Sequence, residues 1–188
     1  MKRSSRSRKR KTLLLIVFLI SAVILGALIY RKYEMSRLKP APPQPQESGT
    51  LIVALFFASP DGAGLVREAR EIDACSDPTM CAEEVLEELI NGPVGDTSPT
   101  LPPAATLRSV RVDGETATVD FGKEFAEGLS AGSNAEMIAV YSVIDSLAFN
   151  FPRIKKVKFL FEGESAKTLG HLDLSTPLTP DFSLEKKQ

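Results

Sequence analysis

The chain has 188 residues and a formal net charge of −1, with 43% hydrophobic and 25% charged residues. This apolar fraction excludes a fully disordered chain, and the length favours one ordinary domain with attachments. Two Cys, one His and no Trp exclude a disulfide-rich scaffold and argue against histidine-based catalysis. We therefore expect no cofactor and no metal site.

The charge is divided unevenly along the chain. Residues 1–39 carry eleven basic residues and one acid, a net charge of +10. Residues 40–188 carry 12 basic and 23 acidic residues, a net charge of −11. Because an acidic body repels a polyanion, we predict that nucleic acid is not a partner.

A basic run precedes a long apolar segment. Residues 12–30 contain no charged residue, and as a helix they are about 28 Å long, close to the ~30 Å hydrocarbon core of a bilayer. The positive-inside rule places the basic tail, residues 1–11, in the cytoplasm. The basic side chains nearest the apolar segment are Arg8, Lys9, Arg10 and Lys11. We therefore predict a single transmembrane helix at 12–30 in the cytoplasmic (inner) membrane, in contact with lipid, with the N-terminus inside and the C-terminal domain outside (periplasmic or extracellular).

Two alternatives compete with this interpretation. A cleaved signal peptide has a shorter apolar region, about 7–15 residues, and a small-residue cleavage site. Here Tyr30 is followed by Arg31, Lys32 and Tyr33, which favours an uncleaved anchor. The basic run is also typical of a nucleic-acid-binding arm, but its place directly before an apolar segment favours a role in topology.

Residues 31–49 form a predicted linker. Four prolines, Pro40, Pro42, Pro43 and Pro45, lie within six residues. Such a segment favours polyproline II, which rises about 3.1 Å per residue. We interpret it as a spacer between the bilayer and the body.

The first half of the body predicts two strands and a helix. Residues 51–58 are an unbroken apolar run, which predicts a strand buried on both faces, and residues 65–72 predict a more exposed strand. The pair Asp77–Pro78 favours the start of a helix, and the pair Gly92–Pro93 favours its end. A long loop with three prolines follows at 95–105.

The second half predicts a hairpin, a helix and two further strands. Residues 106–121 alternate in polarity around Asp113–Gly114, which indicates a type I′ turn. A helix from Ser133 or Asn134 to about residue 149 is followed by strands at 154–161 and 169–174. The predicted fold class is therefore α+β: one mixed or antiparallel sheet with two helices packed on it (β-β-α-β-β-α-β-β), preceded by the transmembrane helix. The body would span 50–180, with a C-terminal tail at 181–188.

Several motifs resemble the GerMN domain family, which is named for a sporulation and germination protein. They are LIVALFFASPDG, LEELINGP, LPPAATLRSVRVDGETATVDFGKEF and TLGHLDLSTPL. The matching features are the first apolar strand, the Gly92–Pro93 pair, the segment Leu101-Pro102-Pro103, and the hairpin with the Asp120–Phe121 pair. The resemblance implies a small extracytoplasmic domain without enzymatic activity, found in lipoproteins and membrane-tethered envelope proteins.

The motif residues have structural interpretations of their own. Gly92 is suited to the left-handed conformation that ends a helix, and Pro93 stops its continuation. Phe121 continues the inward face of the hairpin, whereas Asp120 faces outward or caps the next turn. We therefore predict that these residues support the fold.

Cys75 and Cys81 are the two cysteines of the chain. Outside the cytoplasm, cysteines this close in sequence favour a disulfide, which would contribute about 2 kcal/mol. Two separate thiols remain an alternative, and a metal site would need more ligands. The spacing is not that of a redox C-x-x-C pair.

The sequence predicts a non-enzymatic binding or assembly module of the cell envelope, with a spore or cell-wall connection. Its partner would be an envelope protein, another copy of itself or cell-wall glycan. An exposed sheet edge or the Pro-rich loop 93–105 would provide the docking surface. The alternative is a peptidoglycan-modifying enzyme that uses carboxylates such as Asp120 and Glu124. A ligand sensor is a third class, but only about eleven residues would lie inside.

Overall fold

The computed structural model describes Leu19, residues 23–27, Tyr30, and residues 49–129 and 132–186. The chain divides into two compact units, Met1–Glu47 and Ser48–Gln188. In the first unit, the described residues are helical and exposed to solvent. Among the helices within the described residues, none has the length and apolar character needed to cross a membrane.

Most of the predictions for the first unit lie outside the described residues. This holds for the basic tail at 1–11, most of the apolar segment at 12–30, and the linker as far as residue 48. The transmembrane helix and its topology therefore stay predictions.

The second unit has the predicted α+β class. Its strands are β1 (Thr50–Ala58), β2 (Leu65–Asp73), β3 (Leu107–Asp113), β4 (Thr116–Phe121), β5 (Lys156–Phe161), β6 (Glu164–Ser165), β7 (Thr168–Leu169) and β8 (Leu172–Asp173). Its helices are α1 (Pro78–Asn91), α2 (Glu124–Glu127) and α3 (Ser133–Asn150), and a 3₁₀ turn covers Phe182–Leu184. The four-residue α2 was not predicted from the sequence.

The prediction of one sheet was wrong, because the described strands form three. β1 and β2 make an antiparallel ribbon, β3-β4-β5-β6 make a mixed sheet in which β4 and β5 are parallel, and β7 and β8 make a short hairpin. The outer edge of β1 is occupied by side chains of α3. Asn150 bonds both the N–H (2.9 Å) and the C=O (2.7 Å) of Ala54, and Ser146 Oγ accepts from the N–H of Phe56 (3.0 Å). These bonds occupy both backbone groups of Ala54 and the N–H of Phe56, which the larger sheet would otherwise need at this edge.

Helix α1 forms as its sequence predicts. The Asp77 carboxylate accepts hydrogen bonds from the N–H groups of Thr79 (2.9 Å) and Met80 (3.1 Å), and Pro78 occupies the first turn. At the other end, Gly92 has φ of 88° and donates its N–H to Leu89. Both ends are therefore fixed by local sequence.

The hairpin between β3 and β4 has a different turn from the predicted one. Asp113 pairs with Thr116, so Gly114 and Glu115 are the two central residues. Type I′ requires positive φ at both, but only Gly114 (58°) has it. Glycine at the first central position with an ordinary second residue is the pattern of a type II′ turn.

The last predicted strand, 169–174, is divided into β7 and β8. Gly170 has φ of 54°, and the Glu136 carboxylate accepts from the N–H of His171 (2.9 Å). This bond to α3 holds a turn where the sequence predicted continuous strand. Helix α3, by contrast, ends at Asn150, just before Pro152, because proline does not continue a helix.

The core lies between the ribbon, the mixed sheet and the helices α1 and α3. Its largest fully buried side chains include Phe57, Phe121, Phe125 and Phe159. β1 is buried on both faces only in its second half. Its first three residues are exposed, including Leu51 (42%) and Ile52 (81%), which corrects the prediction of a wholly buried strand.

Candidate docking surface

The two faces of the β1–β2 ribbon have different surroundings. Side chains alternate along a strand, so Val53, Leu55 and Phe57 share one face, where they join the main core with α1. Phe56 and Ala58 lie on the other face, in a smaller cluster with residues of α3 and the C-terminal segment. The ribbon therefore separates the main core from a second, partly open apolar layer.

This second layer leaves large apolar side chains in contact with solvent. Phe149 is 41% exposed and Phe182 43%, and their rings pack edge to face with centroids 6.2 Å apart. The guanidinium of Arg67 lies 4.4 Å from the Phe149 ring centroid, within range of a cation–π contact. Ile52, 81% exposed, follows on the same face of β1. We call these residues, Ile52, Arg67, Phe149 and Phe182, the ribbon patch.

The outer edge of β2 has unpaired backbone groups. The C=O of Leu65 accepts from the N–H of Lys186 (2.8 Å), which shows that residue 65 faces away from β1. With a period of two, Arg67, Ala69 and Glu71 face the same way. No described residue forms a hydrogen bond with the outward-pointing N–H and C=O groups of these three residues. Such an edge is a template for another strand.

The Gly92–Pro93 motif is held by a network of charges on β2. Arg70 donates to Glu88 (2.7 Å), to Glu68 (2.9 Å) and to the C=O of Gly92 (3.0 Å). Glu68 accepts in turn from the N–H groups of residues 94 and 95. Burial alone would raise the pKa of Glu68, but these bonds hold it below its ordinary value. The motif thus anchors a loop.

The Asp120–Phe121 motif also supports the fold. Asp120 is buried, and its carboxylate accepts from the N–H of Gly163 (3.0 Å) and from Arg108 Nε (3.3 Å). It therefore holds the turn between β5 and β6. Phe121 is fully buried with its ring centroid 4.5 Å from that of Phe125. Asp120 therefore neither faces outward nor caps the turn that follows it in sequence, and it bonds instead a turn 43 residues further along the chain.

The carboxylates of Asp120 and Glu124 have separate partners. Asp120 is engaged as described above, and Glu124 Oε2 lies 3.5 Å from the Thr106 hydroxyl. Each carboxylate is thus bonded to groups of its own chain, Asp120 to Gly163 and Arg108 and Glu124 to Thr106. Within the same residues, no group of three or more His, Cys, Asp or Glu side chains is placed to hold a metal ion.

Cys75 and Cys81 form a disulfide, with Cα atoms 5.4 Å apart. It ties the segment that leaves β2 to the first turn of α1. A cavity of about 360 Å³ lies nearby, between this turn, the β3–β4 turn and the end of α3. Its polar lining groups include Asp77, whose carboxylate already caps α1, Asn150, which bonds β1, and Arg153.

The Pro-rich loop 93–105 is only partly a surface feature. Thr100, Leu101, Pro102 and Ala105 are buried, so the second half of the loop fills space beside the core. Pro99 and Pro103 line a shallow cavity of about 350 Å³ against the start of α3. The loop is therefore a smaller docking surface than the sequence predicted.

The sequence did not predict a role for two acidic residues of α3, Asp145 and Glu136. Asp145 is fully buried; its Oδ1 accepts from the N–H of Asp181 (3.0 Å), while its Oδ2 has no hydrogen-bond partner among the described residues. Burial raises the pKa of Asp145 to about 7, and the charges of Asp181 and Glu185 add to this effect. Glu136, the second, holds the β7–β8 turn. Neither shows in a local pattern, because each acts on residues more than thirty positions away.

Residues 181–186, predicted as a separate tail, pack on the domain. Glu185 accepts from Arg67 (2.7 Å), and Lys186 Nζ pairs with Asp61. Together with Phe182 they form a strap from α3 to the start of β2. The predicted topology residues, Arg8, Lys9, Arg10 and Lys11, lie outside the described residues.

The fold and its contacts define a class: a small α+β domain whose charged motif residues hold loops, with one partly apolar ribbon left open. The family model described as Germane, Sporulation and spore germination, matches residues 54–167, more than half of the chain. The chain belongs to this family, which confirms the GerMN resemblance of its motifs.

The chain is also similar to solved structures. The tandem GerMN domains of the sporulation protein GerM from Bacillus subtilis match with 22% identity and a TM-score of 0.49, over 71% of this chain and 46% of that one. The first GerMN domain of the same protein matches with 22% identity and a TM-score of 0.49, over 70% of this chain and 96% of that one. A candidate lipoprotein from Clostridium perfringens matches with 20% identity and a TM-score of 0.49, over 73% and 91%. The comparison with curated proteins gave no match.

Proposed function

We propose that this chain is a single-pass membrane protein that displays its Germane domain outside the cytoplasm as a non-enzymatic docking module of the cell envelope. The uncharged segment 12–30 behind a basic tail supports the anchor and its direction. The disulfide between Cys75 and Cys81 is in keeping with an oxidising compartment.

The observation that carries the docking role is the ribbon. Its patch exposes three large apolar side chains, beside a strand edge whose outward backbone groups have no partner among the described residues. The charged residues of the family motifs are, by contrast, already bonded to loops of the same chain. An envelope protein, including another copy of this chain, fits such a partly apolar surface better than cell-wall glycan does.

Crosslinking of the full-length protein in its membranes tests this role. Ile52→Ser removes an apolar side chain from the ribbon patch, and we expect it to lose the crosslinked neighbour. Val94→Ser is the matched control, because Val94 is equally exposed (81%) but lies in the loop after α1, on the other side of the ribbon. Equal crosslinking in both variants would contradict docking through the ribbon.

Protease added to spheroplasts tests the orientation separately. The proposed topology predicts that the domain is digested without lysis. Digestion only after lysis would overturn the topology.

A further inference from the structure

We propose that β2 pairs antiparallel with β2 of a second copy of this chain, centred on Ala69, so that two ribbons join into one continuous sheet. This inference rests on the proposed docking role and names its partner. It begins from the outer edge of β2, where the backbone groups of Arg67, Ala69 and Glu71 have no partner among the described residues.

The side chains of this edge are self-complementary in charge. Residues 67–71 read Arg-Glu-Ala-Arg-Glu. In an antiparallel pair centred on Ala69, Arg67 lies opposite Glu71 of the second copy, and Glu68 lies opposite Arg70. Arg67 and Glu71 therefore face the opposite charge, which stabilises a cross-strand pair, while Glu68 and Arg70, already bonded within their own chain, add no like-charge contact.

Neighbouring registers lose this complementarity. Centring the pair on Arg67 or on Arg70 places two arginines opposite each other, and centring it on Glu68 or on Glu71 places two glutamates opposite each other. Like charges directly opposite are destabilising. The register centred on Ala69 is thus the one that the charges select.

The backbone agrees with this register. The N–H and C=O of Ala69 point away from β1, so the two copies of Ala69 would exchange both N–H···O bonds. Residue 67 of one copy and residue 71 of the other would exchange theirs in the same way. Ala69 is exposed and small, which lets two strands approach. The strap limits the pair at one end, because Lys186 already bonds the C=O of Leu65.

Arg67 and Glu71 differ in how free they are. Arg67 also pairs with Glu185 and lies over Phe149, yet its side chain stays 40% exposed. Glu71 is exposed and has no salt bridge or side-chain hydrogen bond among the described residues. Charge reversal at Glu71 therefore changes the pair between copies with little effect within one copy.

Cysteine crosslinking of the full-length protein in its membranes tests the register. Both natural cysteines form a disulfide, so Ala69→Cys adds a single thiol to the described residues. Cα atoms of a hydrogen-bonded antiparallel pair are about 5.5 Å apart, within the range of a disulfide. We expect Ala69→Cys to migrate at twice the monomer mass without reductant. Glu115→Cys, an exposed position in the turn between β3 and β4 and outside the ribbon, is the control and should stay monomeric.

A charge swap tests the pairing independently. In the Ala69→Cys background, Arg67→Glu alone places Glu opposite Glu, and Glu71→Arg alone places Arg opposite Arg, so each variant should lose the covalent dimer. Coexpressed with different tags, the two variants should form mixed dimers, because each Glu then faces an Arg. Both effects together support the inference.

The proposal is overturned if Ala69→Cys crosslinks no more than Glu115→Cys, or if the mixed pair dimerises no better than either variant alone. The docking role would then be decided by the Ile52→Ser experiment. If Ile52→Ser loses its crosslinked neighbour while Ala69→Cys stays monomeric, the partner is a protein other than this chain. Failure of both experiments would remove the docking role itself.

Discussion

The β1–β2 ribbon and the four-stranded sheet β3–β6 differ in how their outer strands are contacted. The N–H of Val110 on β3 bonds Glu83 of α1 (3.4 Å), and Val157 on β5, beyond the short β6, exchanges bonds with Leu178 (2.8 and 2.9 Å). In the ribbon, side chains of α3 bond β1 at Ala54 and Phe56, whereas no described residue bonds the outward backbone groups of β2 at positions 67, 69 and 71. This run of unbonded positions is why we propose β2, rather than the sheet, as the edge that docks a partner.

The motif residues follow the same division. Asp120 and Phe121 lie in the sheet and stabilise its turn and its core. Gly92 ends α1 and accepts a hydrogen bond from Arg70 of β2. The charged motif residues thus hold the domain together, and of the ribbon patch only Ile52 lies within a motif, the first apolar strand.

The largest expected effect comes from the core of the sheet. Phe121→Ala should lower the free energy of unfolding by about 3–5 kcal/mol, because Phe121 is fully buried between Phe125 and Phe159. Urea unfolding followed by circular dichroism measures this. A loss below about 1 kcal/mol would mean that the sheet is not the closed core described here.

The buried carboxyl of α3 should make stability depend on pH. The pKa of Asp145 is raised from 3.8 to about 7, so the folded chain keeps a proton that the unfolded chain releases between these values. The free energy of unfolding should therefore fall as pH rises through this window, by up to about 4 kcal/mol, and level off above it. Asparagine has no group that titrates in this range, so Asp145→Asn should lose this slope.

Urea unfolding of both proteins from about pH 4 to 8 measures the difference. Asp96→Asn, in an exposed loop, is the control and should keep the slope of the natural chain. Parallel pH profiles for the natural chain and Asp145→Asn would contradict a buried, protonated Asp145.

The cover of the β1 edge should be worth less than the sheet core. Asn150→Ala removes the amide that bonds both backbone groups of Ala54, and should cost about 2–3 kcal/mol because these part-buried groups lose their partner. Chemical denaturation measures this cost. Asn91→Ala is the control, because the exposed Asn91 side chain bonds only Glu88 (3.1 Å) among the described residues, and its cost should stay within about 0.5 kcal/mol.

The smallest effect is expected at the ribbon patch. Ile52→Ser should change the free energy of unfolding by no more than about 0.5 kcal/mol, because the side chain is 81% exposed in the isolated domain. Thermal unfolding of the monomer measures this. A large loss of stability would place Ile52 in the core and would contradict the division between ribbon and sheet.

Much of the local structure could be predicted from the sequence, because its signals are local. Asp77–Pro78 and Gly92 set the ends of α1, and the alternation around Gly114 set the hairpin. The division into three sheets could not be predicted, because it depends on Ser146 and Asn150 bonding strand residues 90 and 96 positions away. The burial of Asp145 escapes local patterns for the same reason.

The sequence predicted an exposed sheet edge or the Pro-rich loop as the docking surface, and it did not indicate which edge. An exposed sheet edge was one of two expectations, and the edge of β2 fits it. The Pro-rich loop was the other, and half of it is buried around Leu101. Which strand would be left open depends on the strap and on α3, whose contacts with the ribbon join distant parts of the chain.

Hydrogen exchange of individual backbone amides, measured on the full-length protein at low and high concentration, tests the central claim most directly. The account predicts that the amides of Arg67, Ala69 and Glu71 exchange rapidly when the protein is dilute and become protected when it is concentrated, while those of Val119 and Phe159 in the sheet are protected throughout. Slow exchange of the three β2 amides in the dilute protein, or no change with concentration, would contradict an open ribbon that pairs with a second copy.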